Sequence, residues 1–236
     1  MVFLLNIGNT HTQMAECSNG KVGPVKTIKT ELLTPSLLPE HMPIAAATVV
    51  PDAREILAGC GVFFLSHTDC RSVDFSLMDV STLGGDRIAN AALLAAEFDG
   101  MVMSVDFGTA INTEVLDEQK RMLGGAIAPG RAMLRRALHE GTKQLPLLGM
   151  DDTLPETAMG RNTRDAMRLG IDLGAVGMVR ELIAAVRKEM GQELKIVGFG
   201  GDAAFFLPFF PEIIPGGEDF TLRGIYRIWK ESGHAD

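Results

Sequence analysis

One pattern occurs twice in this chain and constrains its fold more than any other feature. The apolar run Val2–Leu5 leads into Asn6-Ile7-Gly8-Asn9-Thr10, and the apolar run Met101–Val105 leads into Asp106-Phe107-Gly108-Thr109-Ala110. Asn6 and Asp106 lie 100 positions apart, and each is followed at +2 by Gly and then by Thr, at +4 and +3 respectively. A long-range repeat of this kind indicates a duplicated structural unit. The sequence therefore predicts an α/β protein of two lobes that face each other across a cleft.

Length and composition agree with two such lobes, which we expect at residues 1–100 and 101–236. The 236 residues are 46% hydrophobic, enough for a sizeable core. The net charge of −8 argues against a partner that is a nucleic acid, because phosphate-backbone binding needs a basic face. No apolar run reaches the roughly 18 residues of a membrane span, and the start lacks the pattern of a signal peptide. We expect a cytoplasmic protein without membrane contact.

Familiar catalytic and metal motifs are absent from the sequence. It contains no G-x-x-x-x-G-K-[ST], H-E-x-x-H, C-x-x-C or G-x-S-x-G. The three cysteines are too scattered for a disulfide framework, and the five histidines show no metal-ligand spacing.

The repeated turns suggest phosphate binding. A Gly at a strand end lets a phosphate approach the backbone, and a following Asn or Thr supplies a hydrogen-bonding group. A carboxylate at the strand end can hold a cation, so two such turns could bracket a polyphosphate. The alternative is that both are structural hairpins, with Gly8-Asn9 supplying the positive φ of a tight turn.

A third segment, Gly84-Gly85-Asp86-Arg87, precedes a helix predicted over Asp86–Glu97. At this helix start a carboxylate is favoured for structural reasons, by capping and by the macrodipole. In the functional interpretation, Asp86 accepts the proton of a substrate hydroxyl and Arg87 binds a substrate carboxylate.

A long helix is predicted over Arg164–Met190, with Thr163 as its N-cap. One apolar stripe runs along this helix, formed by Leu169, Leu173, Val176, Val179, Ile183 and Val186. Gly170, Gly174 and Gly177 lie inside the helix, and we expect another backbone to pack closely there.

Several motifs in a fixed order resemble the type III pantothenate kinases, a branch of the acetate and sugar kinase/Hsp70/actin superfamily. Besides the three segments above they are Gly124-Gly125-Ala126-Ile127-Ala128-Pro129-Gly130, Ala137-Leu138-His139 with Leu145-Pro146, Gly160-Arg161-Asn162-Thr163 and Leu222-Arg223-Gly224. The resemblance implies two ribonuclease H-like lobes of the actin/Hsp70 type. It also implies ATP-dependent phosphorylation of pantothenate to 4′-phosphopantothenate, the first step of coenzyme A biosynthesis, by a homodimer joined at the long helix.

The resemblance also implies residue roles, carried over position by position. The ATP phosphate loop is Asn6, Ile7, Gly8, Asn9, Thr10, His11, Thr12 and Gln13, with Thr109 as a further ATP contact. Pantothenate is expected at Gly84, Gly85, Asp86, Arg87 and Thr163, with Asp86 as the proton acceptor. Asp106 is expected to bind a monovalent cation, potassium or ammonium, and ATP is expected to carry magnesium.

The chain departs from the family pattern at a few positions. Asn6 stands where the family has Asp, Gln13 where a basic residue is frequent, and Leu77 where a Tyr contacts pantothenate. The family's Thr-Thr-x-Asp reads Ile111-Asn112-Thr113-Glu114. Loss of the first carboxylate removes a ligand type that magnesium favours.

These departures leave an alternative open. The chain could be a catalytically impaired paralogue that binds nucleotide or pantothenate as a regulatory subunit, in a heterodimer with an intact kinase. A transcriptional accessory factor is a third hypothesis, which the acidic charge opposes where direct DNA contact is concerned.

Overall fold

The structure is a computed structural model that describes residues 1–151, 153–154, 157–191 and 193–234. Its contacts divide the chain into two compact units. The first comprises Met1–Val102, Glu114–Gly124 and Gly216–Asp236, and the second comprises Met103–Thr113 and Gly125–Pro215. The described residues contain no helix long and apolar enough to cross a membrane.

The strands, in chain order, are β1 (Val2–Ile7), β2 (His11–Ser18), β3 (Lys21–Val22), β4 (Lys26–Lys29), β5 (Ile44–Thr48), β6 (Val62–Phe64), β7 (Val102–Phe107), β8 (Ala110–Leu116), β9 (Met122–Gly124), β10 (Ile127–Pro129), β11 (Lys195–Phe199) and β12 (Ile214–Pro215). The α-helices are α1 (Ala53–Ile56), α2 (Gly85–Glu97), α3 (Arg131–Glu140), α4 (Thr163–Met190), α5 (Ala203–Phe206) and α6 (Phe220–Glu231).

Two six-stranded mixed sheets confirm the α/β class. The first has the order β3-β2-β1-β5-β6, with β4 also on β2, and the second has the order β10-β8-β7-β11-β12, with β9 on β8. In the first sheet β1 pairs antiparallel with β2 and parallel with β5. In the second, β8 and β10 are antiparallel, whereas β11 and β12 are parallel.

The first sheet is built from buried apolar strands, as the run Val2–Leu5 predicts. Leu5, Ile7, Ala46 and Leu57 belong to a core cluster on this sheet. The strands β3 and β4 both pair with β2 but are separate elements. Between them lies Gly23-Pro24, and a proline supplies no backbone N–H to a strand ladder.

Helices α2 and α6 pack against each other in the first unit. Gly224 of α6 lies so close to α2 that a Cβ there would overlap the backbone of Ala89. The Thr221 hydroxyl donates to the Asn90 side-chain oxygen at 2.9 Å. Gly216 and the described residues that follow it therefore pack with the first unit, because the apolar face of α6 is buried there.

Three features of helix α4 can be compared with its prediction. Its N-cap is Asn162, whose side chain accepts from the Asp165 N–H, and Thr163 is the first helical residue. Leu173 is 46% exposed, so it does not join the buried stripe. Outside the helix's own backbone, no heavy atom of the described residues lies within 4 Å of a Cβ built at Gly170, Gly174 or Gly177, so none of these residues supplies the close backbone expected there.

Candidate functional site

The first predicted turn joins β1 to β2 in the first unit. Asn6 pairs with Gln13 and Ile7 with Thr12 across the hairpin, and the Gly8 N–H donates to the His11 carbonyl at 3.0 Å. Neither Gly8 nor Asn9 has a positive φ, so that expectation is wrong. Glycine is instead suited to position 8 because a Cβ would lie 3.0 Å from the His11 oxygen.

Asn6 places an acceptor oxygen at the base of this turn. Its Nδ2 donates to Gln13 Oε1 at 3.4 Å, and its Oδ1 is buried without a hydrogen-bond partner among the described residues. Gln13 in turn donates through Nε2 to the Glu218 carbonyl at 3.3 Å. A buried amide oxygen without a partner is unusual and marks a place where a donor or cation would be favourable.

The residues of the predicted ATP loop divide into a supporting and an exposed set. Ile7 and Thr12 are buried, and the Thr12 hydroxyl lies 3.0 Å from that of Thr30. The Thr30 hydroxyl donates to the Gly8 carbonyl at 2.6 Å, so Thr30 stabilises the turn. Asn9, Thr10 and His11 are exposed at the tip.

The Gly84–Arg87 segment lies against the end of β5 in the same unit. Gly84 is the N-cap of α2, and a Cβ on it would lie 2.8 Å from Val49 and 2.7 Å from the Asp86 carboxylate. A Cβ on Gly85 would lie 3.0 Å from the Thr48 backbone nitrogen. The glycine pair therefore lets the helix start, and Asp86 with it, pack directly on the strand end.

Asp86 is a half-buried carboxylate in the first turn of α2. Burial raises the pKa of this carboxyl above the ordinary 3.8, against the lowering effects of a hydrogen bond from the Arg87 N–H and of the Arg87 charge. The Arg87 N–H donates to Asp86 Oδ1 at 2.7 Å. A raised pKa makes this carboxylate a better proton acceptor than an exposed aspartate.

Arg87 has a partner that sequence reasoning did not find. Its Nε donates to Glu114 Oε1 at 2.9 Å, and Glu114 is fully buried on β8. The only signal in the sequence was an acidic residue at the place of the family's Thr-Thr-x-Asp aspartate. A buried carboxylate needs such a cation, so the Nε edge of Arg87 is committed to the protein.

A cavity of about 170 Å³ opens beside the glycine pair. Its lining includes Leu83, Gly85 and Ile88, together with the basic side chains of Arg54 and His67. Sequence reasoning gave no role to Arg54 or His67, since nothing in their local pattern distinguishes them.

The second predicted turn joins β7 to β8, and residues 103–113 lie in the second unit. The Gly108 N–H donates to the Ala110 carbonyl at 3.2 Å. Two residues separate β7 from β8, whereas three separate β1 from β2, which explains why Thr follows at +3 here and at +4 in the first copy. Asp106 is half-buried and Thr109 is exposed. Thr163, the remaining predicted site residue, is exposed at the start of α4.

Among the described residues no group of three or more His, Cys, Asp or Glu side chains could hold a metal ion. A magnesium ion carried by nucleotide phosphates needs few protein ligands, because it keeps several waters. The partnerless Asn6 oxygen fits this kind of ion, either directly or through a water.

Known proteins are similar in sequence to most of this chain. The family model described as type III pantothenate kinase matches residues 2–185. A type III pantothenate kinase from Rhodospirillum rubrum is 35% identical over 64% of this chain and 58% of its own length. One from Thermosipho melanesiensis is 28% identical over 98% of both chains. Some of these relatives are thus matched over less than two thirds of their own length.

Solved structures show the same fold. A Baf family transcriptional activator from Campylobacter jejuni matches with a TM-score of 0.65 and 22% identity, over 97% of this chain and 98% of its own. The activator of 2-hydroxyisocaproyl-CoA dehydratase from Clostridium difficile, solved with bound ADPNP, matches with a TM-score of 0.54 and 13% identity, over 98% and 95%. With the two mixed sheets, these likenesses confirm the predicted actin/Hsp70-type fold. The match of the family model over most of the sequence shows that this chain belongs to the type III pantothenate kinase family.

Proposed function

We propose that this chain transfers the γ-phosphoryl group of ATP to the primary hydroxyl of pantothenate, giving 4′-phosphopantothenate for coenzyme A biosynthesis in the cytoplasm. The observation that carries the proposal is Asp86. It is a carboxylate with a raised pKa, fixed on a glycine pair at a helix start, in the segment where the resemblance implies that pantothenate binds.

Asp86 accepts the proton of the attacking hydroxyl in this proposal. Phosphoryl transfer needs positioning and charge stabilisation more than covalent chemistry, and a positioned base contributes about 10²–10⁴-fold. The Arg87 N–H bond to Oδ1 fixes the orientation of the carboxylate. Pantothenate is bound by Gly84, Gly85, Arg87 and Thr163, and the adjoining cavity with Arg54 supports a small anionic substrate beside this segment.

ATP is bound by the exposed tip Asn9–His11, by the rest of the loop from Asn6 to Gln13, and by Thr109. Asn6 Oδ1 would hold the magnesium ion that ATP carries, either directly or through a water. Asp106 binds the monovalent cation, potassium or ammonium, through a half-buried carboxylate. Bound magnesium supplies charge neutralisation to the transferred phosphoryl group.

We further propose a homodimer joined at α4. Gly170, Leu173, Gly174 and Gly177 follow the i, i+3, i+4, i+7 spacing of one helix face, and all four are exposed. The open space above the three glycines would let a second helix approach closely.

A second candidate function is favoured by Asn6. A neutral amide in place of a carboxylate weakens magnesium placement, which suits a regulatory subunit that binds nucleotide or pantothenate without turnover, alone or in a heterodimer with an active paralogue. Leu77, 59% exposed where the family has Tyr, points the same way.

A steady-state assay separates the two functions. Purified protein is mixed with ATP, magnesium, potassium and pantothenate, and pantothenate-dependent ADP release is followed in the wild type and in Asp86→Ala. The kinase proposal expects turnover that the variant abolishes. Absence of turnover in the wild type, with ATP or pantothenate still raising the melting temperature, supports the regulatory subunit instead.

A further inference from the structure

The Asp106–Thr109 turn is enclosed by two glycines from distant segments of the second unit. A Cβ on Gly130 would lie 2.6 Å from the Thr109 carbonyl oxygen, and a Cβ on Gly200 would lie 2.8 Å from the Phe107 backbone and would overlap the Asp106 carboxylate. Gly200 also has a φ of +106°, which other residues rarely adopt. The position of this turn is therefore set by how far apart the two glycine segments are held.

One side chain reaches both segments. Arg131 follows Gly130 directly as the first residue of α3, and it is fully buried. Its Nη1 donates to Asp202 Oδ1 at 3.1 Å, two residues beyond Gly200. The Asp202 N–H donates to the Phe107 carbonyl at 2.8 Å, so the Gly200 segment is anchored both to the turn and to Arg131.

The rest of the guanidinium is held equally firmly. Arg131 Nε donates to Asp172 Oδ1 at 3.0 Å in the middle of α4, and Nη2 donates to the Asp151 carbonyl. The group lies 3.3 Å above the centre of the Phe205 ring. Burying a charged group is costly unless it is paired and hydrogen-bonded, and here each of its nitrogens has a partner.

We propose that Arg131 is a positioning residue for ATP binding. It fixes the separation of the Gly130 and Gly200 segments, and thereby the geometry of the turn that presents Asp106 and Thr109. This inference rests on the proposed function in one respect only, namely that the turn binds the nucleotide. It assigns Arg131 no contact with substrate.

Arg135 provides a matched control. It is equally buried on α3 and donates to the same Asp172, at 2.7 Å. Its other hydrogen bonds within the described chain go to the Gly149 and Arg131 carbonyls, and none goes to Asp202. If the hydrogen bonds of the two arginines only stabilise the fold, substituting either arginine should impair the protein in the same way. If Arg131 positions the turn, only its substitution should weaken ATP binding.

The test compares Arg131→Lys, Asp202→Asn, their double variant and Arg135→Lys. The dissociation constant for ATP is measured by calorimetry and the two KM values by initial rates. We expect Arg131→Lys and Asp202→Asn each to raise both the dissociation constant and the KM for ATP about threefold or more. The KM for pantothenate should change less than about twofold. The double variant should be no worse than the worse single variant, because both remove one interaction. Arg135→Lys should lower the melting temperature without changing the ATP constants.

Three results would overturn the inference: equal ATP defects in Arg131→Lys and Arg135→Lys, additive defects in the double variant, or normal ATP affinity in Asp202→Asn. The last variant is nearly isosteric and tests the inference even where Arg131→Lys does not fold. A wild type that binds ATP without turnover contradicts the proposed function alone, since the calorimetric comparison still decides the role of Arg131.

Discussion

The Asp86 carboxylate lies where its negative charge is unfavourable for folding. Burial raises its pKa in the folded chain, which means that the fold favours the protonated form relative to the unfolded chain. The unfavourable contribution is therefore full above the folded pKa and disappears below the unfolded value. A carboxylate whose charge destabilises the fold in this way is typical of a catalytic group.

Asp86→Asn should accordingly lose activity and gain stability. We expect kcat to fall by about 10²–10⁴-fold, because the amide cannot accept a proton. The melting temperature should rise at neutral pH, and this gain should shrink as the pH falls towards the ordinary aspartate pKa of 3.8. Activity assays and thermal unfolding at several pH values check both parts. A variant that is less stable than the wild type at neutral pH would contradict the account of Asp86.

Asn6 offers a test of how magnesium is placed. Asn6→Asp places a carboxylate where the buried amide oxygen has no hydrogen-bond partner among the described residues, so the magnesium concentration for half-maximal activity should fall. Asn9→Asp adds the same charge at the exposed tip of the same turn and serves as the control. If both variants change the magnesium requirement equally, the effect is general electrostatics and not ligation by residue 6.

At the scale of elements, Gly224 joins two helices that are far apart in the sequence. Gly224→Ala would force its Cβ into the Ala89 backbone of α2, and overpacking of this kind costs about 1–3 kcal/mol. Chemical denaturation should show that loss. Gly149→Ala is the matched control and should be nearly neutral, because this position is exposed and, apart from its chain neighbours, no described residue has an atom within 4 Å of the new Cβ. Equal stability of Gly224→Ala and the wild type would show that α6 does not pack on α2 as described.

Local chemistry explains which elements could be predicted. The runs before Asn6 and Asp106 predicted β1 and β7, whose bounds Val2–Ile7 and Val102–Phe107 are offset by 100 residues, as the repeat requires. Apolar periodicity likewise predicted α2 and most of α4. These signals lie within a few residues of the elements they specify.

Pairs that join distant residues could not be predicted. Arg87 and Glu114 are 27 positions apart, and Arg131 and Asp172 are 41 apart. Nothing in the local pattern says that a charged residue on a helix will be buried, since such residues are almost always exposed. The exposure of Leu173 could not be predicted either. Periodicity locates an apolar stripe on a helix but does not say how much of that stripe the same chain buries.

At the scale of the whole molecule, the exposed face of α4 predicts self-association. Sedimentation should give about twice the 25.4 kDa of one chain, and Gly174→Arg should give the single-chain mass because the new side chain blocks helix approach. Gln119→Arg makes the same charge change at an exposed position in the first unit and should leave the assembly unchanged. A single-chain mass for the wild type would contradict the homodimer.

Phosphorus NMR shows whether phosphoryl transfer to pantothenate depends on Asp86. ATP, magnesium, potassium and pantothenate are incubated with the wild type and with Asp86→Asn, and the products are resolved by phosphorus NMR. We predict a phosphomonoester signal that grows with ADP, requires pantothenate and forms at least about 10²-fold more slowly with the variant. Equal formation of that signal by both proteins, or its absence with a wild type that is folded and binds ATP, would contradict the assignment of Asp86 as the base of a pantothenate kinase.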